Sequence, residues 1–371
     1  MQNTSVKSAY IHIPFCKKIC SYCDFCKNFY KDELTFKYLD ALEKEINNNY
    51  NGEILDTLYI GGGTPSALSI KNLKKLFNIL KIFKLNNKYE FTFECNYEDI
   101  NDEMLRFLKK NKVNRLSIGI QTFNNKYKSF LNRNINELEM IKKINLSKKY
   151  FDNINVDLIY ALKNETIEEL NIELDKFIKL DINHISIYAL IKEPNTKLYI
   201  DNYIETSDEV EADMYQLICT KLKEHGYNHY EISNFSKPGY ESLHNTTYWN
   251  NNYYYGFGAS ASGFINNIRY DNTKSVYNYI KGVTKVNSEV MNNDMLINDE
   301  IMLNLRKCSG INKTSFKLKY NKDIEDMFNL SEMIYNGYII CDKDNIYIPE
   351  KYLFLSNRII FMFLENKKKG K

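Results

Sequence analysis

The chain lacks a long apolar run. Its longest, Ile359 to Leu364, is six residues, against the ~20 that a membrane-spanning helix needs, so no spanning helix is expected. It also lacks a charge excess of either sign. Fifty Lys and Arg offset 47 Asp and Glu, leaving +3 at pH 7, which gives no argument for a nucleic-acid partner. No block recurs at a solenoid period. Asparagine clusters such as Asn47-Asn48-Asn49 are scattered and do not gather into a low-complexity domain. Only seven residues precede the first expected strand, which opens at Ser8, too few for a leader segment. Eight cysteines without a leader fit a reducing compartment, and a cytoplasmic protein is expected.

What is present describes an ordinary globular chain, with 44% hydrophobic and 26% charged residues. The first half alternates short β-branched or aromatic runs with helical patterns, the sign of a parallel α/β architecture. Six strands are expected: Ser8–Phe15, Thr57–Gly61, Tyr89–Glu94, Arg115–Gln121, Asn153–Ile159 and His184–Leu190. Between them lie amphipathic segments, as in Leu73-Lys-Lys-Leu76-Phe77-Asn-Ile-Leu80, apolar at i, i+3, i+4 and i+7. Six such units make an incomplete (β/α)6 barrel, open on one side, over residues 1–205. An extension follows over 206–293, starting with a helix from Ser207 to His225 that Ser207 can cap. Residues 294–371 read as helix, helix, helix, hairpin (Tyr338 to Pro349) and helix, a small winged-helix-like α+β domain. Its basic face is weak, so a packing or docking role is expected.

The chemistry begins at Cys16-Lys-Lys-Ile-Cys20-Ser-Tyr-Cys23. Soft thiolates select iron–sulfur clusters and zinc, and cube clusters normally take four cysteines. Three leave one iron open to a ligand. The rival is a four-cysteine zinc site using Cys26, although structural zinc usually splits its ligands into two well-separated pairs. Other polar features fall where a barrel keeps its site, at the C-terminal ends of strands. Gly61-Gly62-Gly63-Thr64-Pro65 follows the second strand. Glu94 closes the third, Gln121 the fourth, and Asp157 lies late in the fifth. Glycines let backbone approach a ligand closely, carboxylates accept from hydroxyls or ammonium groups, and Arg133 could offer its fork to a carboxylate or stand as a solvated helix residue. A further element, His244-Asn-Thr-Thr-Tyr248-Trp249, holds the one tryptophan and one of five histidines. A histidine can ligate haem iron. A lone one is more often a core side chain satisfied by hydrogen bonds.

With these residues in hand, the chain resembles the HemW family of radical S-adenosylmethionine (SAM) proteins, which are haem chaperones. The resemblance runs nearly end to end. It includes Tyr10-Ile-His-Ile-Pro-Phe-Cys16, Gly61-Gly-Gly-Thr-Pro-Ser66, Ser117-Ile-Gly-Ile-Gln121, Asp157-Leu-Ile-Tyr160, Glu193-Pro-Asn-Thr196, Tyr230-Glu-Ile-Ser-Asn234 and the HNxxYW element at His244. It implies that Cys16, Cys20 and Cys23 hold a 4Fe–4S cluster. It implies SAM contacts at Tyr10, Tyr22, Gly62, Gly63, Thr64, Glu94, Gln121, Arg133 and Asp157, and His244 as a haem ligand. The implied partners are haem itself as cargo, haem-requiring respiratory proteins, bacterioferritin-like donors, a second copy of the chain and a membrane surface met peripherally. A basic tail, Lys367-Lys-Lys-Gly-Lys371, suits weak attraction to an anionic surface. Phe25 stands where coproporphyrinogen oxidases of the same superfamily carry a cysteine, which favours the chaperone reading. Cys26, Ala161, Lys163 and Ser262 depart from the usual pattern, the second by replacing a glycine. The competing readings are an oxygen-independent coproporphyrinogen III oxidase and a radical SAM methyltransferase.

Overall fold

A computed structural model describes residues 5–368; Lys369 to Lys371, most of the basic tail, lie outside them. Its first half repeats strand and helix in strict order. The elements are β1 (Ser8–Ile13), α1 (Asp32–Asn49), β2 (Ile54–Gly62), α2 (Ile70–Ile79), β3 (Lys84–Asn96), α3 (Asp102–Lys110), β4 (Arg115–Gln121), α4 (Glu137–Ser147), β5 (Asn153–Tyr160), α5 (Ile167–Lys179) and β6 (His184–Ala189). Each expected strand is present. β3 starts five residues earlier than the pattern suggested, because polar Asn86-Asn87-Lys88 interrupts the period after Lys84 and Leu85, which pair with Ile54 and Leu55.

Local signals place the helices. Ser69 accepts the N–H of Asn72 to start α2, and Leu73, Leu76 and Phe77 bury its apolar stripe. Thr166 and Glu169 form a reciprocal capping box at α5. Ser207 does stand at the N-cap of α6 (Asp208–Glu224), but its side chain makes no cap bond.

The β1 to β6 strands pair in sequence order and in parallel. The extension completes the sheet at both edges. The antiparallel pair β7 (Asn228–Glu231) and β8 (Asn234–Ser236) adds beyond β6. Past helix α7 (Leu243–Trp249), β9 (Tyr255–Phe257) pairs in parallel with β1. The nine-stranded order is therefore β9-β1-β2-β3-β4-β5-β6-β8-β7. The boundary expected at residue 205 is not a boundary of the sheet. Sequence periodicity ended there because the added strands are only three or four residues long.

Residues 262–290 form a separate three-stranded antiparallel sheet. In the C-terminal region, Ile311–Asn312, Asn345–Tyr347 and Ile340–Cys341 make a small sheet beside helices Asn293–Asn304, Lys313–Tyr320 and Ser356–Glu365. The fold is an incomplete parallel (β/α)6 barrel, extended at both sheet edges, with a C-terminal α+β domain.

Period two sorts the barrel strands into two faces. Outward residues such as Leu58, Ile60, Phe91, Phe93, Leu116, Ile118, Ile154 and Val156 are buried against the helices and form the core. The alternate residues, Thr57 and Tyr59, Glu94 and Asn96, Ser117 and Gly119, Asn155 and Asp157, face the lumen. The barrel is thus apolar outside its sheet and polar inside it. A polar lumen is built to hold a ligand, since unfilled polar interiors are costly. No helix among the described residues is long and apolar enough to cross a membrane.

Candidate functional site

The cluster loop leaves β1 at Pro14 and is held at several points. Phe15–Cys16 pairs with Asn28–Phe29. The N–H of Ser21 donates to Leu131 O, and that of Leu198 donates to Ser21 O. His12 joins the loop to the barrel, with Nδ1 bonded to the Tyr10 hydroxyl at 2.9 Å and Nε2 to Cys26 O at 3.1 Å. Burial lowers its pKa to about 4, so the ring is neutral at physiological pH.

Cys16, Cys20 and Cys23 line one cavity of about 220 Å³ together with Gly62, Gly63, Thr64, Glu94, Gln121, Arg133 and Asp157. Tyr22 lines it too. Tyr10 does not: it sits lower on β1, and its hydroxyl is taken by His12. Cys26 also stays out of the cavity and donates its thiol to Lys274 O at 3.0 Å. A fourth thiol ligand is therefore not at hand in this arrangement. Among the described residues no three His, Cys, Asp or Glu side chains stand close enough to hold one ion. A cube places each sulfur on a separate iron, so its ligands stand farther apart than those of a single ion.

The glycine turn shapes the cavity wall. Gly62 has φ +118°, a backbone state that side chains avoid, and its N–H donates to Glu94 Oε2 at 3.0 Å. A Cβ on Gly63 would stand 2.8 Å from the Phe15 nitrogen and 2.9 Å from Cys16 Sγ. Thr64 donates its hydroxyl to the same sulfur at 3.4 Å. Gln121 takes φ +71° at a bulge between β4 and β5, a strained state of the kind found at ligand sites. Ala161, in the position where a glycine is usual, takes φ +57°. The loop keeps the left-handed turn, and alanine bears the strain.

Arg133 follows a short turn of helix capped by left-handed Asn132. It is directed into the cavity, which settles the choice against a solvated residue. Its Nη2 donates to Gly119 O at 2.8 Å and Asn96 Oδ1 at 3.0 Å, and Nη1 lies 3.6 Å from Cys20 Sγ. Its Nε is buried with no partner. Burial opposes the charge, but the Tyr22 hydroxyl and the Cys20 thiol outweigh it and raise the pKa.

Burial pushes Glu94 up to about 7 even though Tyr59 donates to it. It likewise pushes Asp157 up to about 6, against the hydrogen bond from Asn155. The Cys16 thiol is also raised by burial, and Cys23 to about 11. Thiols held protonated by burial need a metal to ionise them. The three thiols, the orphaned Arg133 Nε and the close approach at Gly63 fit a cluster with a carboxylate-bearing ligand. Asn96, Ser117, Lys27 and Phe25 are among the other residues that line the cavity. Asn96 was missed, although strand period could have found it two residues past Glu94, and nothing in the sequence singled out Lys27.

Helix α7 carries the HNxxYW element and closes the N-terminal end of the same barrel. His244 is 1% exposed. Its Nδ1 meets the Thr57 hydroxyl at 2.7 Å and its Nε2 the Tyr248 hydroxyl at 2.8 Å. The Tyr59 ring stacks on it at 4.9 Å. Both ring nitrogens are engaged, and burial takes the pKa down to about 3. Iron ligation by His244 would require one of these bonds to be exchanged. Ser262 lies apart from His244, facing a second cavity beside Tyr248.

Comparison with known proteins adds to this geometry. The radical SAM superfamily matches residues 10–177. A protein of Lactococcus lactis named heme chaperone HemW is 38% identical, with 96% of this chain and 97% of its own length covered. A Bacillus subtilis protein of the same name is 37% identical, with 97% and 99% covered. Among solved structures, Escherichia coli coproporphyrinogen III oxidase (HemN), a radical SAM enzyme, superposes with a TM-score of 0.84 at 22% identity. That match covers 98% of this chain and 91% of the oxidase, and it speaks for the fold alone.

Proposed function

Because this chain belongs to the HemW family of radical SAM proteins, we propose that it is a haem chaperone: it binds haem, and a 4Fe–4S cluster with SAM on its open iron supports that role. The observation that carries the reading is likeness to named haem chaperones along the whole chain, with the HNxxYW element on a helix that closes the barrel. A bound cluster supplies an iron to which SAM can chelate through amino and carboxylate groups.

The residues around that place have distinct tasks. Cys16, Cys20 and Cys23 would hold the cluster. Gly62 and Gly63 let backbone reach the nucleotide closely. Glu94 and Asp157 would accept from its hydroxyl or ammonium groups, and the unpartnered Arg133 Nε would donate to its carboxylate. Tyr22 lines the same cavity, and Arg133 Nη1 lies 3.6 Å from Cys20 Sγ, beside the place the cluster would take. His244 is the family-implied haem ligand, reached by exchanging the Tyr248 hydroxyl for iron. Delivery to haem-requiring respiratory proteins, with transient contact at the membrane face, is the role that follows.

The shared fold keeps one second reading, oxidative decarboxylation of coproporphyrinogen III. Anaerobic reconstitution, followed by parallel titration with haem and with coproporphyrinogen, separates the two. A Soret band that weakens in His244→Ala, with no protoporphyrinogen formed, is expected. Turnover of coproporphyrinogen would reverse the assignment, and unchanged haem affinity in the variant would remove His244 from it.

A further inference from the structure

Arg115 opens β4 with its side chain turned into the barrel. In register it stands level with Thr92, which in turn lies beside Tyr59. It is 2% exposed, and its Nε has no hydrogen-bond partner. Among the described residues it forms no ion pair. Along β4 it precedes by two and four residues Ser117 and Gly119, which line the cavity, and it stands level with Asn153 on β5, so the guanidinium enters the lumen below the cluster cavity.

A buried charge is normally paired or bound to a ligand, because stripping it of water is costly. The neighbouring acids do not serve Arg115, since each is committed elsewhere. Glu90 accepts the N–H groups of Leu243 and His244 at 2.9 and 3.1 Å. Glu94 accepts from the Tyr59 hydroxyl and the Gly62 N–H. Asp157 accepts from Asn155 at 2.8 Å. The lumen is not sealed above, as Tyr188 on its wall is 43% exposed.

We propose that Arg115 is the anchor of an anion site in the barrel lumen, beneath the cluster cavity, and that it takes a carboxylate. A guanidinium fork matches that group in two parallel bonds. The choice of ligand rests on the haem reading: haem carries two propionates, and either is the carboxylate that enters. A small free carboxylate shares the chemistry, and the test distinguishes it.

Cluster-reconstituted native protein, Arg115→Gln and Arg115→Lys are titrated with haem and with haem dimethyl ester, whose propionates are blocked. Thermal unfolding is followed with and without sodium propionate. Arg115→Gln is expected to weaken haem binding about tenfold, the scale of one charge-assisted contact, and to leave the ester unaffected. The lysine variant restores part of the loss. Propionate raises the Tm of native protein only, and ligand-free Arg115→Gln melts above native because the unpaired charge is gone.

A haem affinity independent of Arg115, beside a propionate response that needs it, keeps the anion site and rejects haem as its ligand. Failure of native protein to bind haem at all rejects the chaperone reading, and the propionate arm then decides on Arg115 alone. If neither response depends on Arg115, the proposal is overturned.

Discussion

Glu90 on β3 accepts the main-chain N–H of His244 at 3.1 Å, joining residues 154 positions apart. Its other oxygen accepts from Leu243 at 2.9 Å. The carboxylate therefore satisfies donors at the start of α7 that no helical carbonyl can reach. Glu90→Leu should leave them buried and unmet, costing about 1–3 kcal/mol. Urea unfolding and faster amide exchange at Leu243 and His244 would register the loss. Unchanged exchange there would mean the helix start is held by Ser242 alone.

Gly63→Ala tests the cavity wall. The added methyl meets a backbone nitrogen at 2.8 Å and Cys16 Sγ at 2.9 Å, and main chain cannot swing aside as a flexible side chain can. We expect a soluble, folded protein with reduced iron and sulfide content after reconstitution. Full cluster loading would show that the Cys16 segment shifts more readily than its pairing with Asn28–Phe29 suggests.

Ala161→Gly should stabilise the protein. Alanine at φ +57° bears a cost of roughly 1–2 kcal/mol, offset in part by the greater freedom of glycine in the unfolded chain. A net gain of about 0.5–1 kcal/mol follows, read as a higher urea midpoint at unchanged slope. A loss of stability would show that the alanine methyl contributes packing worth more than the strain.

The contribution of Glu94 to the stability of the ligand-free protein should fall as pH rises from about 4.5 to about 7, the span between the ordinary carboxyl value and its buried one. Buried His12 and His244, pushed down to about 4 and about 3, act in the opposite sense below about 6.5, so the contribution is read as the difference between native protein and Glu94→Gln. The folded state holds the proton more tightly than the unfolded chain, so the penalty is absent below this window and complete above it. Asp157, pushed up to about 6, adds to the lower part of the same slope. Every tenfold difference in proton affinity between folded and unfolded chain corresponds to ~1.4 kcal/mol. Glu94→Gln should flatten the upper part of the curve in urea titrations at stepped pH. A slope as steep as native would assign the effect to other buried carboxyls, such as Glu165, also pushed up to about 7.

The barrel was legible in the sequence because its strands are long enough to show both faces. Leu116, Ile118 and Ile120 alternate with Ser117, Gly119 and Gln121, and the polar members of that set reach the cavity. The thiol trio and the glycine turn were legible for the same reason, being local in sequence. That Tyr10 lies outside the cavity lining was not legible, since a strand residue's height in the barrel depends on register with its neighbours, which sequence does not print. The edge strands β7, β8 and β9 are too short to carry a period. Arg115 was missed as well: at the head of an expected strand it looked like a boundary residue, and only the folded barrel shows its charge to be buried and without an ion pair. The surroundings of His244, bonded at both nitrogens, come from Thr57 far upstream.

The pairing of β9 with β1 sets a timetable for synthesis. The first strand leaves the ribosome early, yet the partner for one of its flanks is made some 245 residues later (Ala9 to Tyr255). Through most of translation that flank presents bare N–H and C=O groups, the kind of surface on which nascent chains stick to one another. Truncations ending before Tyr255 should therefore be the aggregating ones, and a holdase that shields strand edges would be needed most in that interval.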